Sequence, residues 1–152
     1  MGKRIRIREK VRFCMKCLEF ELQSDYTLPI LCFDGKRALF DTGSILSVFP
    51  FSTRTMRHGF HARRLVGDRD GAIYRLRNFH VGRIHYQALD VFVPKRAEKD
   101  AIMILGMSMF RGLNWNIDTV NHRIIFGAED EHQFVRKALA KDFEEEIMSS
   151  SE

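Results

Sequence analysis

The sequence predicts an all-β domain, and three features of it do so. Residues 3–13 and 18–22 alternate apolar and polar side chains, the period of a strand with one buried face. Short apolar runs at 29–33 and 102–105 halt at turn signals before they reach helical length. Asp34-Gly35 and the run from Gly67 to Gly71 supply the chemistry of tight hairpin turns.

In chain order, Ile5, Ile7, Val11 and Phe13 face one way in the first strand, with Arg4, Arg6, Arg8, Lys10 and Arg12 opposite. Such a basic face suits an edge strand, whose charges deter pairing with other chains. Leu18, Phe20 and Leu22 form the next strand, and residues 29–33 and 36–40 pair around Asp34-Gly35. Residues 50–59 read as a turn and one short helix, with Ser52 as cap and Gly59 as stop. A long hairpin follows, with arms 60–66 and 72–79 and the tip Gly67, Asp68, Arg69, Asp70, Gly71. After a turn at 81–84 comes a strand at 85–93, then a charged loop and the buried strand 102–105. Residues 107–111 suit a short helix, and 113–118 and 123–126 a last hairpin turning at 119–122. Met103, Met107 and Met109 read as core filler. Phe134, Val135, Ala138, Leu139 and Phe143 recur at helical spacing, so an amphipathic helix is expected over 131–147.

At 152 residues, 45% of them hydrophobic and 13 of them Phe, the chain can bury a substantial core and is not disordered throughout. No apolar run is long enough to span a bilayer, and the first six residues lack the apolar centre of a signal peptide. Three cysteines give no disulfide framework, so the expected setting is a reducing one, the cytoplasm. Residues 129–152 hold eight acids and three bases, leaving 22 bases and 12 acids for the rest. A basic body with an acidic tail fits nucleic-acid contact, an acidic substrate, packing of tail on body, or a solubilising surface.

The chemistry concentrates at Asp41-Thr42-Gly43-Ser44. An apolar strand carries one carboxylate to its end and stops at a glycine turn flanked by hydroxyls. An acid held there is suited to general acid–base work. Cys14 and Cys17 lack a second cysteine pair, and the interval to His58 and His61 does not fit a zinc finger, so no metal or other cofactor is expected. A nucleic-acid role for the basic arm ranks last, because Phe13 is its only aromatic.

The run Leu39-Phe40-Asp41-Thr42-Gly43-Ser44, with apolar residues behind it, resembles the signature of the retropepsin-like, single-domain aspartic proteases. Ile102-Met103-Ile104-Leu105-Gly106 resembles the family's apolar strand that crosses behind the catalytic loop, with Ile104, Leu105 and Gly106 as its motif. The resemblance covers roughly residues 18–127 on the one-domain expectation. It implies a closed, barrel-like β domain with a flap hairpin over the peptide and one short helix. The expected organisation is a basic arm at 1–17, the protease domain at 18–128 and an acidic helical tail at 129–152. Asp41 would be catalytic, Thr42 would bond across a two-fold axis, Ser44 would bond its own aspartate, and residues 67–71 would form the flap.

One catalytic loop per chain implies a homodimer. The nearest second match, Asp118-Thr119-Val120, lacks the glycine and lies in the last hairpin. The expected partners are therefore a second copy and a peptide or protein substrate, with neither membrane nor nucleic acid. The activity implied is that of an endopeptidase using water activated by two Asp41 carboxylates. The alternative is a catalytically silent dimeric binding or scaffold module on the same fold.

Overall fold

A computed structural model describes residues 16–24 and 28–150, the last three by backbone alone. The alternating segment at 3–13, most of the basic arm and Cys14 lie outside the described residues. The described chain is predominantly β, as the strand periods require.

Strand β1 (Lys16–Leu22) buries Phe20 and Leu22 and leaves Glu19 and Glu21 exposed. Strands β2 (Ile30–Phe33) and β3 (Lys36–Phe40) close the predicted hairpin, in register from Ile30 opposite Leu39 to Phe33 opposite Lys36. Its turn places Asp34 at φ 48° and Gly35 at φ 74°. Two successive left-handed residues match the twist of the paired strands, and glycine tolerates that region without cost. Strand β4 (Ser47–Val48) comes after the Asp41 loop. Ser52 then caps the short helical turn by accepting from Thr55 N at 3.1 Å, and the turn finishes as a π-helical segment at Thr55–Gly59.

Strands β5 (Arg63–Gly67) and β6 (Gly71–Leu76) form the predicted hairpin in a shorter version. Phe60 does not join β5, because its ring packs among Phe49, Phe51 and Phe79. His61 then reverses the chain at φ 51°. Beyond β6, Asn78 at φ 57° separates off β7 (Phe79–Val81). Strand β8 (Ile84–Pro94) is the longest and most central, bordered by β6 and β7 along one edge and by β4 and β12 along the other. Strand β9 (Met103–Leu105), a 3-10 turn at Met107–Met109, and the hairpin β10 (Asn114–Asp118) and β11 (Arg123–Ala128) come next, as expected.

The strands form one sheet in the order β10-β11-β1-β2-β3-β9-β4-β8-β6-β5, with β7 and β12 attached to β8. The expected closed barrel is not formed. The sheet is open, ending at β10 and β5 among the described residues. All five residues of β5 are exposed, as are the first three of β10, so neither edge has the burial that closure would bring.

The single amphipathic helix expected over 131–147 is likewise corrected. The segment is a 3-10 turn at Glu131–Phe134, strand β12 (Val135–Ala138), a second 3-10 turn at Ala140–Phe143, and only then a short helix, α1 (Glu144–Ser150). Phe134 and Ala138 are buried with Arg136 half-buried between them, an alternation that a four-residue spacing also satisfies. The choice goes to the strand because its backbone finds partners along β8, where it runs parallel from Val135 opposite His85 to Ala138 opposite Leu89.

A buried ion pair fixes this segment. Asp90 on β8 is fully buried and accepts from Arg75 Nε at 2.7 Å and Nη2 at 2.9 Å. Its Oδ2 also accepts from the amide of Ala140 at 2.8 Å. The bond to Asp90 raises the Arg75 pKa further above its ordinary value. No helix among the described residues is long and apolar enough to cross a membrane.

Candidate active site

The Asp41 loop is held from behind by β9. Strand β3 runs parallel to β9 and β4 antiparallel to it, so Leu39 and Val48 both register with Ile104. The chain thus leaves the sheet on one side of β9, makes the loop, and returns on the other side.

Four hydrogen bonds fasten the loop and β4 to the end of β9 and the segment that comes after it. The amide of Asp41 donates to Leu105 O at 3.0 Å, Met107 N to Ser44 O at 2.8 Å, and Ser108 N to Ile45 O at 2.9 Å. Gly106 N donates to the buried hydroxyl of Ser47 at 3.0 Å. Gly106 permits this closeness: a Cβ there would lie 2.7 Å from both the carbonyl carbon and oxygen of Leu46. Backbone in such contact leaves no room for any side chain.

Within the loop, Asp41 Oδ1 accepts from Gly43 N at 2.9 Å and Ser44 N bonds Asp41 O at 3.3 Å. The carboxylate is half-buried, while Thr42 and Gly43 are exposed. The expected bond from Ser44 to its own aspartate is not made. Ser44 Oγ donates instead to Leu46 O at 2.7 Å, which satisfies a carbonyl beside Gly106 and tightens the turn. In one chain Thr42 faces solvent, and the resemblance gives it a role only across a dimer.

Aromatic clusters flank the loop on both sides. Phe40, next to Asp41, contacts Phe110 at 5.2 Å, Trp115 at 5.1 Å and Phe126 at 5.8 Å between ring centroids, all edge-on. Phe49, after β4, meets Phe51, Phe60 and Phe79. Edge-to-face contacts add direction to simple burial, so both loop stems are anchored in rigid packing.

The turn that carries Met107 and Ser108 is braced in its own right. Met109 O accepts from Tyr86 Oη at 2.8 Å and from Arg136 Nε at 3.0 Å. The Arg136 guanidinium also donates to the carbonyls of Gln133 and Arg111. Burial pushes the Tyr86 phenol pKa up and that of Arg136 down. Of the methionines read as filler, Met103 and Met109 are buried and Met107 is half-buried.

The hairpin tip Gly67, Asp68, Arg69, Asp70, Gly71 is an ordered turn. Asp68 Oδ1 accepts from Asp70 N at 2.8 Å and Gly71 N at 3.3 Å. A cleft of about 380 Å³ beside it is lined in part by Arg57, Arg64, Asp68 and Lys95. The hairpin joins the sheet through β8, at the edge away from β10.

Ile104 and Leu105 pair with Leu39 and Phe40 of β3, and the Gly106 amide binds Ser47 beyond the Asp41 loop. Sequence reasoning misses Ser47 and Ser108. Ser47 does carry a signal, since it is the only polar residue in the apolar run 45–49. Asp118-Thr119-Val120 forms a turn in which Asp118 accepts from Val120 N, Asn121 N and Arg123 Nε, so its carboxylate is occupied structurally. Comparison with protein-family models, curated proteins and solved structures finds no match.

Proposed function

We propose that this chain is an aspartic endopeptidase of the retropepsin-like kind, active as a homodimer. The observation that supports this reading is the clamp of β9 on the Asp41 loop. Four hydrogen bonds and one obligatory glycine hold a half-buried carboxylate at a fixed point. That rigidity is what a general base needs, because proton transfer depends on tightly held geometry.

The reaction requires a base to deprotonate water and an acid to protonate the substrate carbonyl. Two carboxylates in contact supply both by sharing one proton, since like charges so close cannot both ionise easily. The pair titrates as a unit. Among the described residues the Asp41 side chain has one hydrogen-bond partner, Gly43 N, and the chain carries one Asp-Thr-Gly loop. A second copy would bring the partner group, the two Asp41 residues meeting at a two-fold axis. The open edge at β10, with Trp115 40% exposed, offers surface for that contact. The hairpin at 67–71 would close over an extended peptide.

The test is incubation of the purified protein with a diverse peptide library, read by mass spectrometry, beside Asp41→Asn. Cleavage by the wild type alone is expected, because an amide cannot take the proton. Equal cleavage by both proteins would overturn the assignment.

A further inference from the structure

The cleft of about 380 Å³ beside the β5–β6 hairpin gathers three cations from three separate parts of the chain. Arg57 comes from the π-helical turn, Arg64 from β5, and Lys95 from just past the end of β8. None of the three pairs with a carboxylate among the described residues. The one acid in the lining, Asp68, accepts from the amides of Asp70 and Gly71 and so belongs to the hairpin turn. Three cations against one carboxylate leave the cleft two charges positive. Lys95 also borders an adjoining hollow with Arg69, Arg96 and Asp70, which adds one further positive charge. Such a concentrated field draws anions.

Strand register explains the convergence. Arg64 lies opposite Tyr74, and Ala72 lies opposite Val93, so these side chains share one face of the sheet. A Cβ on Gly67 would fall 2.5 Å from Arg64 Nη2, so the guanidinium rests against the glycine backbone near the hairpin tip. Tyr74 is 3% exposed, and its hydroxyl makes no hydrogen bond among the described residues. Among those residues Ser108 Oγ is the one buried side-chain polar atom both unbonded and sealed from solvent. The Tyr74 oxygen is therefore reached from outside, by way of the cleft that Tyr74 lines. Buried hydroxyls are nearly always bonded, and this one keeps a donor for a ligand.

We propose that this cleft binds a phosphomonoester dianion, free or carried on a peptide side chain. Arg57, Arg64 and Lys95, less Asp68, balance its two charges, and planar guanidinium groups suit phosphate oxygens. The Tyr74 hydroxyl donates to a remaining oxygen. Phe51, Ala72 and Val93 give an apolar floor to the carbon that bears the phosphate. A phosphodiester, with one charge, leaves a cation unanswered. The site is independent of the endopeptidase reading, since Asp41 does not line the cleft.

The test is titration of the full-length protein at about pH 7.5, where a phosphomonoester carries close to two charges, with amide resonances followed by NMR. The probes are inorganic phosphate, a short phosphoserine peptide, its serine and glutamate counterparts, and diethyl phosphate. Inorganic phosphate and the phosphopeptide should shift the amides of Arg57, Arg64, Ala72 and Lys95. Both should bind roughly tenfold more tightly than the other three probes. Arg64→Gln should weaken phosphate about tenfold, the scale of one charge-assisted hydrogen bond, and Tyr74→Phe about threefold, that of a neutral one. Tyr74→Phe removes a hydroxyl that the fold does not use, so this variant should keep wild-type stability. Arg37→Gln, on β3, should leave binding unchanged. Tighter binding of the phosphopeptide than of inorganic phosphate identifies a phosphorylated protein as the source, and the reverse a small-molecule phosphate. Equal weakening by Arg37→Gln and Arg64→Gln would overturn the site, because net charge alone would then explain the attraction. A glutamate peptide that binds as tightly as the phosphopeptide would do the same, as would failure of phosphate to shift these amides.

Discussion

Ser47 and Gly106, 59 residues apart, meet in the interior where the Gly106 amide donates to the Ser47 hydroxyl at 3.0 Å. Each depends on the other. Ser47 is fully buried and would otherwise strand a hydroxyl, while Gly106 would strand an N–H. Ser47→Ala should therefore cost roughly 1–3 kcal/mol, the penalty for one buried unsatisfied donor. Gly106→Ala should reach the upper part of the roughly 1–3 kcal/mol range for overpacking, or exceed it, because the obstruction is backbone. Urea unfolding of both variants reads these values. A Gly106→Ala protein of wild-type stability would show that the loop is not clamped as described.

The second expectation concerns Asp90. Its carboxylate serves Arg75 and the amide of Ala140 together. Removing one member of a buried pair leaves the other uncompensated, at roughly 3–5 kcal/mol. Arg75 keeps 21% of its side chain exposed, so Asp90→Ala should cost about 3 kcal/mol, the low end of that range. Hydrogen exchange at Ala140 and along Val135–Ala138 should accelerate more than exchange in β1. Uniform acceleration would show that Asp90 supports the whole sheet rather than the C-terminal strand.

The last hairpin should contribute to loss of stability in acid. Hydrogen bonds from the side chain and then the backbone of Asn121, with that from Arg123 behind them, hold the Asp118 pKa below its ordinary 3.8. A carboxylate with a lowered folded pKa contributes stability above its unfolded pKa and loses it as pH falls through the folded value. Asp118→Asn should lower Tm at neutral pH, and the gap to wild type should narrow as the pH drops below 3.8. A gap that stays constant into acid would place the Asp118 contribution outside its charge.

Under the proposed function each active site is shared by two chains. A tenfold excess of Asp41→Asn over wild type should cut activity about tenfold, since nearly all wild-type chains would then sit in mixed dimers. Activity should also fall on dilution through the dimer dissociation constant. Wild-type activity untouched by the excess variant would rule out a shared site.

Catalysis by a proton-sharing pair further predicts an optimum at mildly acidic pH and inhibition by statine-type mimics, whose hydroxyl replaces the attacking water. Chelators should have no effect. Loss of activity with a chelator would return attention to Cys14 and Cys17.

Much of this architecture is decided locally. The period-two pattern of Leu18, Phe20 and Leu22, the Asp34-Gly35 turn, the Ser52 cap and the stop at Gly106 depend on neighbours within a few residues. They hold in the folded chain because turn geometry and alternation need little from afar. The sequence by itself also singled out the Asp41 loop and the strand behind it. Only the tertiary structure decided what distant contacts decide. Residues 131–147 satisfy a helical and a strand spacing alike, and β8 and the carboxylate of Asp90 select the strand. Barrel closure depended on whether β5 and β10 would find partners, which neither strand's residues announce. The resemblance gave Ser44 its own aspartate as acceptor, and the folded turn gives it the Leu46 carbonyl beside Gly106. A chain specifies its turns by its own covalent geometry, but a buried hydrogen bond is specified only by whichever group the rest of the fold brings against it.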